Sequence, residues 1–415
     1  MTGKLVQFPI LALSLLISTQ IFAETIRLNP DIEGPYKISF EQAMPGEVIV
    51  TFRLNSFETD QMILGKDKFN MITIGGLSLA DTKGYPALPR INRNIAIPFG
   101  ANPTITVLDE QVKNIFMAPP SPAKGFVSRC HSYNAVSLSA DAAFYESAQV
   151  FPATNFQASE PFVFRNMRGI NLQINPMQYN NASGQMQITE TLKLKISMGG
   201  KFSANSMYSG NLNSRSFRDL YSQHFVNFNN SAYGEVDDEG EFLIISHENF
   251  INKLPPFVEF KTNQGYRTHV YNMRDIGTTF EDVKSFIQKF YDENPALAFV
   301  LLVGDAKFVP FHKGKSGNAW GKEADPMYGL LTGNDSYPEV IVGRFSVNDD
   351  AEIDNVISRS IKYEAKTKEG DWYKKAVGIA SNEGNPTDGQ RADILREILM
   401  ETKYTQIDRL YDPGV

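Results

Sequence analysis

A chain of 415 residues, 42% apolar and 21% charged, is too long for one ordinary core and too apolar to be a disordered tail. Its net charge of -7 and the lack of any basic run exclude a phosphate-backbone partner such as nucleic acid. The single cysteine, Cys130, excludes an internal disulfide and leaves packing or bound ions to stabilise the fold.

Lys4, the apolar run from Pro9 to Ser18, and Ala23 ahead of Glu24 follow the order of a secretory signal peptide, with cleavage expected after Ala23. The apolar core is about half the ~20 residues of a membrane-spanning helix, so export is expected and a transmembrane segment is not. From Thr25 to about Met198, short alternating runs at 47–53, 95–99, 104–108 and 192–198 are punctuated by Gly, Pro and Asn. Period-two runs of that length predict an antiparallel β-sandwich or barrel. Residues 199–240 are rich in Ser, Asn and Gly and end in Glu235, Asp237, Asp238 and Glu239, a composition that predicts a linker.

Beyond the linker the rhythm becomes strand, helix, strand, helix. Strands are predicted at 241–246, 267–271, 297–303, 339–345 and 376–381, and helices at 249–264, 279–292, 350–366 and 389–401. Apolar strands alternating with helices predict a mostly parallel sheet covered on both faces, with ligands bound beyond the carboxyl ends of its strands.

Asp305 and Glu383 each follow a predicted strand at that end. Taken alone, each reads more readily as a helix cap or a solvated loop charge than as a functional group. The segment 332–339 gathers Asp335, Glu339 and several carbonyls before a strand, the oxygen supply that a hard cation such as calcium prefers, although its spacing matches no EF-hand and also suits a plain Asn-Asp turn. Cys130 reads as a small buried hydrophobe rather than a nucleophile, because the adjacent His131 projects to the other side of an extended chain.

Several strings resemble the gingipain-type cysteine peptidases of peptidase family C25. They are VGD (303–305), YGLLTGNDSYPEVIVGRFS (328–346), IKYE (361–364), GIASNEG (378–384) and YDPG (411–414). GYPALP (84–89), KGFVSR (124–129), PFVFRNMRG (161–169) and NPMQYN (175–180) resemble the prodomain of the same family. The resemblance implies a multidomain α+β chain: signal peptide 1–23, an inhibitory β-sandwich prodomain 24–230, and the first part of a caspase-like α/β domain over 231–415. In that family the catalytic histidine and cysteine lie further along than Val415, so this segment by itself is expected to hydrolyse no peptide.

The resemblance also implies roles position by position. Glu383 matches the acidic residue that orients the catalytic histidine, and Asp393 the carboxylate that receives the substrate's arginine. Arg129, with Lys124 in reserve, matches the prodomain residue that fills the same pocket and keeps the zymogen latent. Asp305, Thr332, Asp335, Tyr337 and Glu339 match structural calcium positions, Thr332 and Tyr337 through main-chain carbonyls. The expected function is a secreted or surface zymogen of an endopeptidase that cuts protein and peptide substrates after basic residues, arginine favoured, restrained by its own prodomain. A Lys-specific peptidase and a non-catalytic surface or secretion-associated binding protein are the alternatives.

Overall fold

The computed structural model describes residues 24–44, 46–125, 137–199, 215–228, 239–314, 321–333, 335–365, 370–383 and 387–412. The expected signal peptide, Arg129, Cys130 and His131 lie outside them.

The named strands of the N-terminal region all pair antiparallel. One sheet runs in the order Tyr36–Met44, Glu47–Leu54, Gln185–Ser197, Met177–Asn180, Val150–Phe151, with Thr104–Phe116 also paired to Gln185–Ser197. A second runs Phe156–Ala158, Met167–Ile174, Pro89–Ile97, Ser78–Leu79, with Phe162–Phe164 paired to Met167–Ile174. The alternation in EVIVTFRL is what puts these two sheets face to face. Val48, Val50, Phe52 and Leu54 are buried on one side of Glu47–Leu54 and meet Ile91, Ile95, Ile170 and Leu172 of the second sheet in a single core. A small third sheet joins Glu24–Arg27, Ser56–Leu64 and Asp67–Thr73.

The C-terminal region contains a four-stranded parallel sheet ordered Arg267–Asn272, Glu241–Ser246, Leu297–Val303, Ile341–Phe345. Successive residues of one strand feed opposite faces. Phe242 and Ile244 pack with Phe257, Ile353 and Ile357, whereas Leu243 and Ile245 pack with Val283, Ile287 and Phe290. Helices Pro255–Asn263 and Asp350–Glu364 therefore cover one face and Phe280–Glu293 the other, the doubly wound arrangement that apolar parallel strands require. A capping box between Thr279 and Asp282 starts helix Phe280–Glu293, and Gly277 at φ 143° is needed ahead of it, since a Cβ there would clash with the Asp282 carboxylate.

Three predicted elements differ from the structure. The helix expected over 249–264 is a 3-10 turn, Ile251–Lys253, followed by helix Pro255–Asn263, because proline suits a first turn and not an interior. The strand expected from 339 begins at Ile341, since Glu339 turns its side chain inward. The linker contains helix Arg215–His224, whose Phe217 and Tyr221 are fully buried. Spacing of i, i+4 was its signal, diluted by polar neighbours.

Last come strands Lys375–Ala380 and Gln406–Tyr411, parallel to each other, with helix Asp388–Met400. Ile379, Leu410, Leu395 and Ile394 of this unit are 73%, 63%, 62% and 56% exposed, so two strands and one helix leave much apolar surface in water.

Ile188 is fully buried between the two antiparallel sheets. Ile188→Ala is expected to cost about 2–5 kcal/mol by leaving a cavity, read as a lower urea midpoint of the far-UV circular dichroism transition.

Candidate functional sites at the two ends of the parallel sheet

The carboxyl ends of the parallel strands, Ser246, Asn272, Val303 and Phe345, share one edge. Loops leaving them line a cleft of about 340 Å³ with His247, Glu248, Arg274, Lys307 and Phe308. It opens beside Glu241–Ser246, from which the chain winds first to one side and then to the other, the position at which doubly wound sheets bind ligands. Arg344 braces the loop 304–310, which supplies Lys307 and Phe308 to the cleft. Its guanidinium takes both oxygens of Asp325 at 2.7 Å and donates to the carbonyls of Gly304, Val309 and Pro310. Asp305 sits on this edge, where the Ser346 hydroxyl at 2.8 Å, seconded by the Ala306 amide, holds its carboxyl below the usual range.

Glu383 lies exposed in the loop after Lys375–Ala380, and its carbonyl accepts the Asp388 amide at 2.8 Å. Asp393, on the following helix, is half-buried. Its Oδ1 accepts from Arg409 Nε at 2.7 Å and from the Tyr411 hydroxyl at 3.0 Å, so it already faces a guanidinium of its own chain. Lys124 is half-buried in the N-terminal region.

The turn 332–339 is at the other edge, ahead of Ile341–Phe345. Parallel pairing of this strand with Leu297–Val303 puts Asp305 at the opposite end from Thr332, Asp335, Tyr337 and Glu339. Glu339 is fully buried; its Oε2 accepts the amides of Leu331 at 2.6 Å and Thr332 at 2.9 Å. No described group reaches Glu339 Oε1, and burial pushes the carboxyl up to about 7. Lys284 anchors the preceding strap through the carbonyls of Met327, Tyr328 and Leu330, and burial lowers its ammonium to about 8. Asp335 accepts from the Tyr337 amide at 2.9 Å. An orphaned buried carboxylate oxygen beside a second carboxylate of the same turn suits a hard cation, although no group of three or more His, Cys, Asp or Glu gathers among the described residues.

The same edge receives the N-terminal region. Strands Phe162–Phe164 and Met167–Ile174 form a hairpin whose two-residue tip is Arg165 and Asn166. Arg165 has φ 52° and is 1% exposed. Its guanidinium donates to the carbonyls of Leu297, Glu339 and Pro295 and lies 4.3 Å over the Phe217 ring. Val163 gives its amide to Asp335 at 3.0 Å, and Phe162 stacks on Tyr337 with centroids 4.1 Å apart. Helix Arg215–His224 wedges below, Tyr221 accepting the Asn166 amide. Gly169 permits this approach, because a Cβ there would clash with the Phe225 ring. Sequence reasoning gave Arg165 no role. A lone basic residue inside the apolar run PFVF-R-NM was the available signal.

Known proteins match along the whole chain. The family model described as peptidase family C25 matches residues 235–413, and the model Propeptide_C25 matches residues 25–234. "Gingipain R2" of Porphyromonas gingivalis is 28% identical over 98% of this chain and 56% of its own length. "Lys-gingipain" of the same organism is 26% identical over 82% of this chain and 20% of its own. The chain thus spans little more than half the length of the first of these relatives and a fifth of the second. A solved "Complex of Porphyromonas gingivalis RgpB pro- and mature domains" covers 46% of this chain and 96% of its own at 21% identity and a TM-score of 0.42.

His224 packs against the rings of Phe162, Phe164, Phe225 and Tyr337, with its Nε2 on Asn94, and burial lowers its pKa. A histidine with a depressed folded pKa contributes fully above its unfolded value of about 6.5 and loses that contribution as pH falls below it. The melting temperature is therefore expected to fall further between pH 7.5 and 5 in the parent than in His224→Asn, by scanning calorimetry; equal falls would assign the loss to other groups.

Proposed function

Because the chain belongs to peptidase family C25, with the family's propeptide ahead of its peptidase region, we propose that it is the precursor part of a secreted cysteine endopeptidase that cuts after basic residues, arginine favoured. The observation that carries this reading is the joint match of propeptide and peptidase models across residues 25–413. Arginine is favoured because the "Gingipain R2" relative matches more of the chain than "Lys-gingipain" does, and because Asp393 has the setting of a guanidinium acceptor. In the working enzyme a thiolate attacks the scissile carbonyl, a histidine protonates the leaving amine, and backbone amides hold the oxyanion. Glu383, in a loop at a strand's carboxyl end, orients that histidine and favours its charged form.

Domain limits of 1–23, 24–230 and 231–415 go with this reading, as does export through the first 23 residues. No helix among the described residues is long and apolar enough to cross a membrane. Latency is assigned to Arg129, with Lys124 in reserve, entering the pocket that Asp393 lines. Calcium at the amino edge would be held by Glu339 and Asp335 with the main-chain oxygens of Thr332 and Tyr337, and Asp305 belongs to a separate position on the carboxyl edge. Such an ion would neutralise the buried Glu339 carboxylate and rigidify the turn.

The test uses the product of the gene read past Val415, activated by removal of its propeptide. Thiol-dependent hydrolysis of arginyl peptide amides is expected, and Asp393→Asn should lower kcat/KM for them by roughly 100-fold, the scale of an unpaired buried charge. Preference for lysyl amides would make it the Lys-specific alternative, and no thiol-dependent hydrolysis of either would leave the binding-protein reading. For calcium, a chelator is expected to lower the melting temperature of the 415-residue chain, and Glu339→Gln to abolish that shift. A melting temperature indifferent to chelator and calcium would remove the ion from the account.

A further inference from the structure

From the Arg165 contacts we infer that the hairpin tip Phe162–Asn166 is a docking latch, separate from the inhibitory segment, that keeps the propeptide region on the peptidase region after the chain between them is cut. The inference rests on the reading of residues 25–234 as a propeptide.

Position is the first support. The latch enters at the amino ends of Leu297–Val303 and Ile341–Phe345, whereas Asp305 and the cleft lie at the carboxyl ends. Blocking a catalytic site and holding on to the domain are thus tasks for different surfaces. Chemistry is the second. Arg165 is almost fully desolvated, and three carbonyls of the peptidase region, from Pro295, Leu297 and Glu339, take its two terminal nitrogens, while its Nε has no partner among the described residues. A buried arginine in a fitted pocket, ringed by aromatic contacts that exclude water, is the composition of an interface hot spot. Phe162 on Tyr337 and the Val163 amide on Asp335 extend the grip to the adjacent turn.

Backbone conformation is the third. Arg165 holds φ 52°, a region that disfavours an ordinary L-residue and that a hairpin tip normally gives to glycine or asparagine. Arginine here is poor for the turn itself, so its presence is explained by what the guanidinium reaches across the boundary. All of these partners survive a cut anywhere in 229–238, because helix Arg215–His224 and the hairpin both precede it.

A recognition site for a sequence-specific protease, inserted within 229–238 of the full 415-residue chain, separates covalent linkage from docking without relying on self-cleavage. After cutting, the two fragments of the parent are expected to co-elute on size exclusion at micromolar concentration. Arg165→Asn, chosen because asparagine tolerates the same φ, should weaken their association by about 100-fold. Circular dichroism of the separated fragment checks its fold. Should Arg165→Asn unfold it, Tyr337→Ala on the opposite surface is expected to weaken association by about tenfold. Fragments that separate in the parent, or association unchanged in folded Arg165→Asn and in Tyr337→Ala, would each overturn the latch.

Discussion

A guanidinium that leaves water must find oxygens to replace its hydration, and Arg165 finds them only where the carbonyls of Pro295, Leu297 and Glu339 converge. Those three groups belong to segments that lead into two neighbouring parallel strands, so the site exists only once that sheet has formed. The hairpin, helix Arg215–His224 and the turn 332–339 then arrange themselves around it, with Phe162, Phe164, Phe217, Tyr221 and Phe225 sealing it from solvent. One buried cation thereby ties the antiparallel and parallel regions into a common packed boundary.

Parallel pairing gives that boundary its meaning. All four strands of the sheet point the same way, so one edge collects the loops that leave the strands and the other collects the approach segments. His247, Arg274, Lys307 and Asp305 fall on the first edge, and Glu339, Asp335 and Arg165 on the second. The cleft lies at the strand carboxyl ends, which leaves the amino edge to the hairpin that carries Arg165. Glu339 lies on that amino edge, its carbonyl accepting from Arg165 while its orphaned carboxylate oxygen faces the interior.

Much of the architecture is legible in hydrophobic pattern alone. The strands at 241–246 and 297–303 and the helix at 279–292 agree with Glu241–Ser246, Leu297–Val303 and Phe280–Glu293 because a continuous apolar run and a 3.6-residue stripe have few other ways to bury themselves. Helix Arg215–His224 escapes such a reading because its buried face is two aromatic residues wide and rests on partners more than forty residues earlier. Of the site residues, Asp305 and Glu383 are placed at strand ends by their order along the chain, whereas the Arg409 and Tyr411 partners of Asp393 do not follow from spacing.

The sequence by itself determined the fold class, the order of its elements and the family, since these follow from hydrophobic period, turn residues and short strings read along the chain. Only the tertiary structure decided that Asp305 and Glu339 lie at opposite ends of one sheet, that Glu339 keeps a carboxylate oxygen without a partner among the described residues, and that Arg165 crosses from one region to the other. The physical reason is that period and propensity are local, while desolvation and hydrogen-bond satisfaction depend on groups 130 or more residues apart in sequence, as Arg165 and Leu297 are.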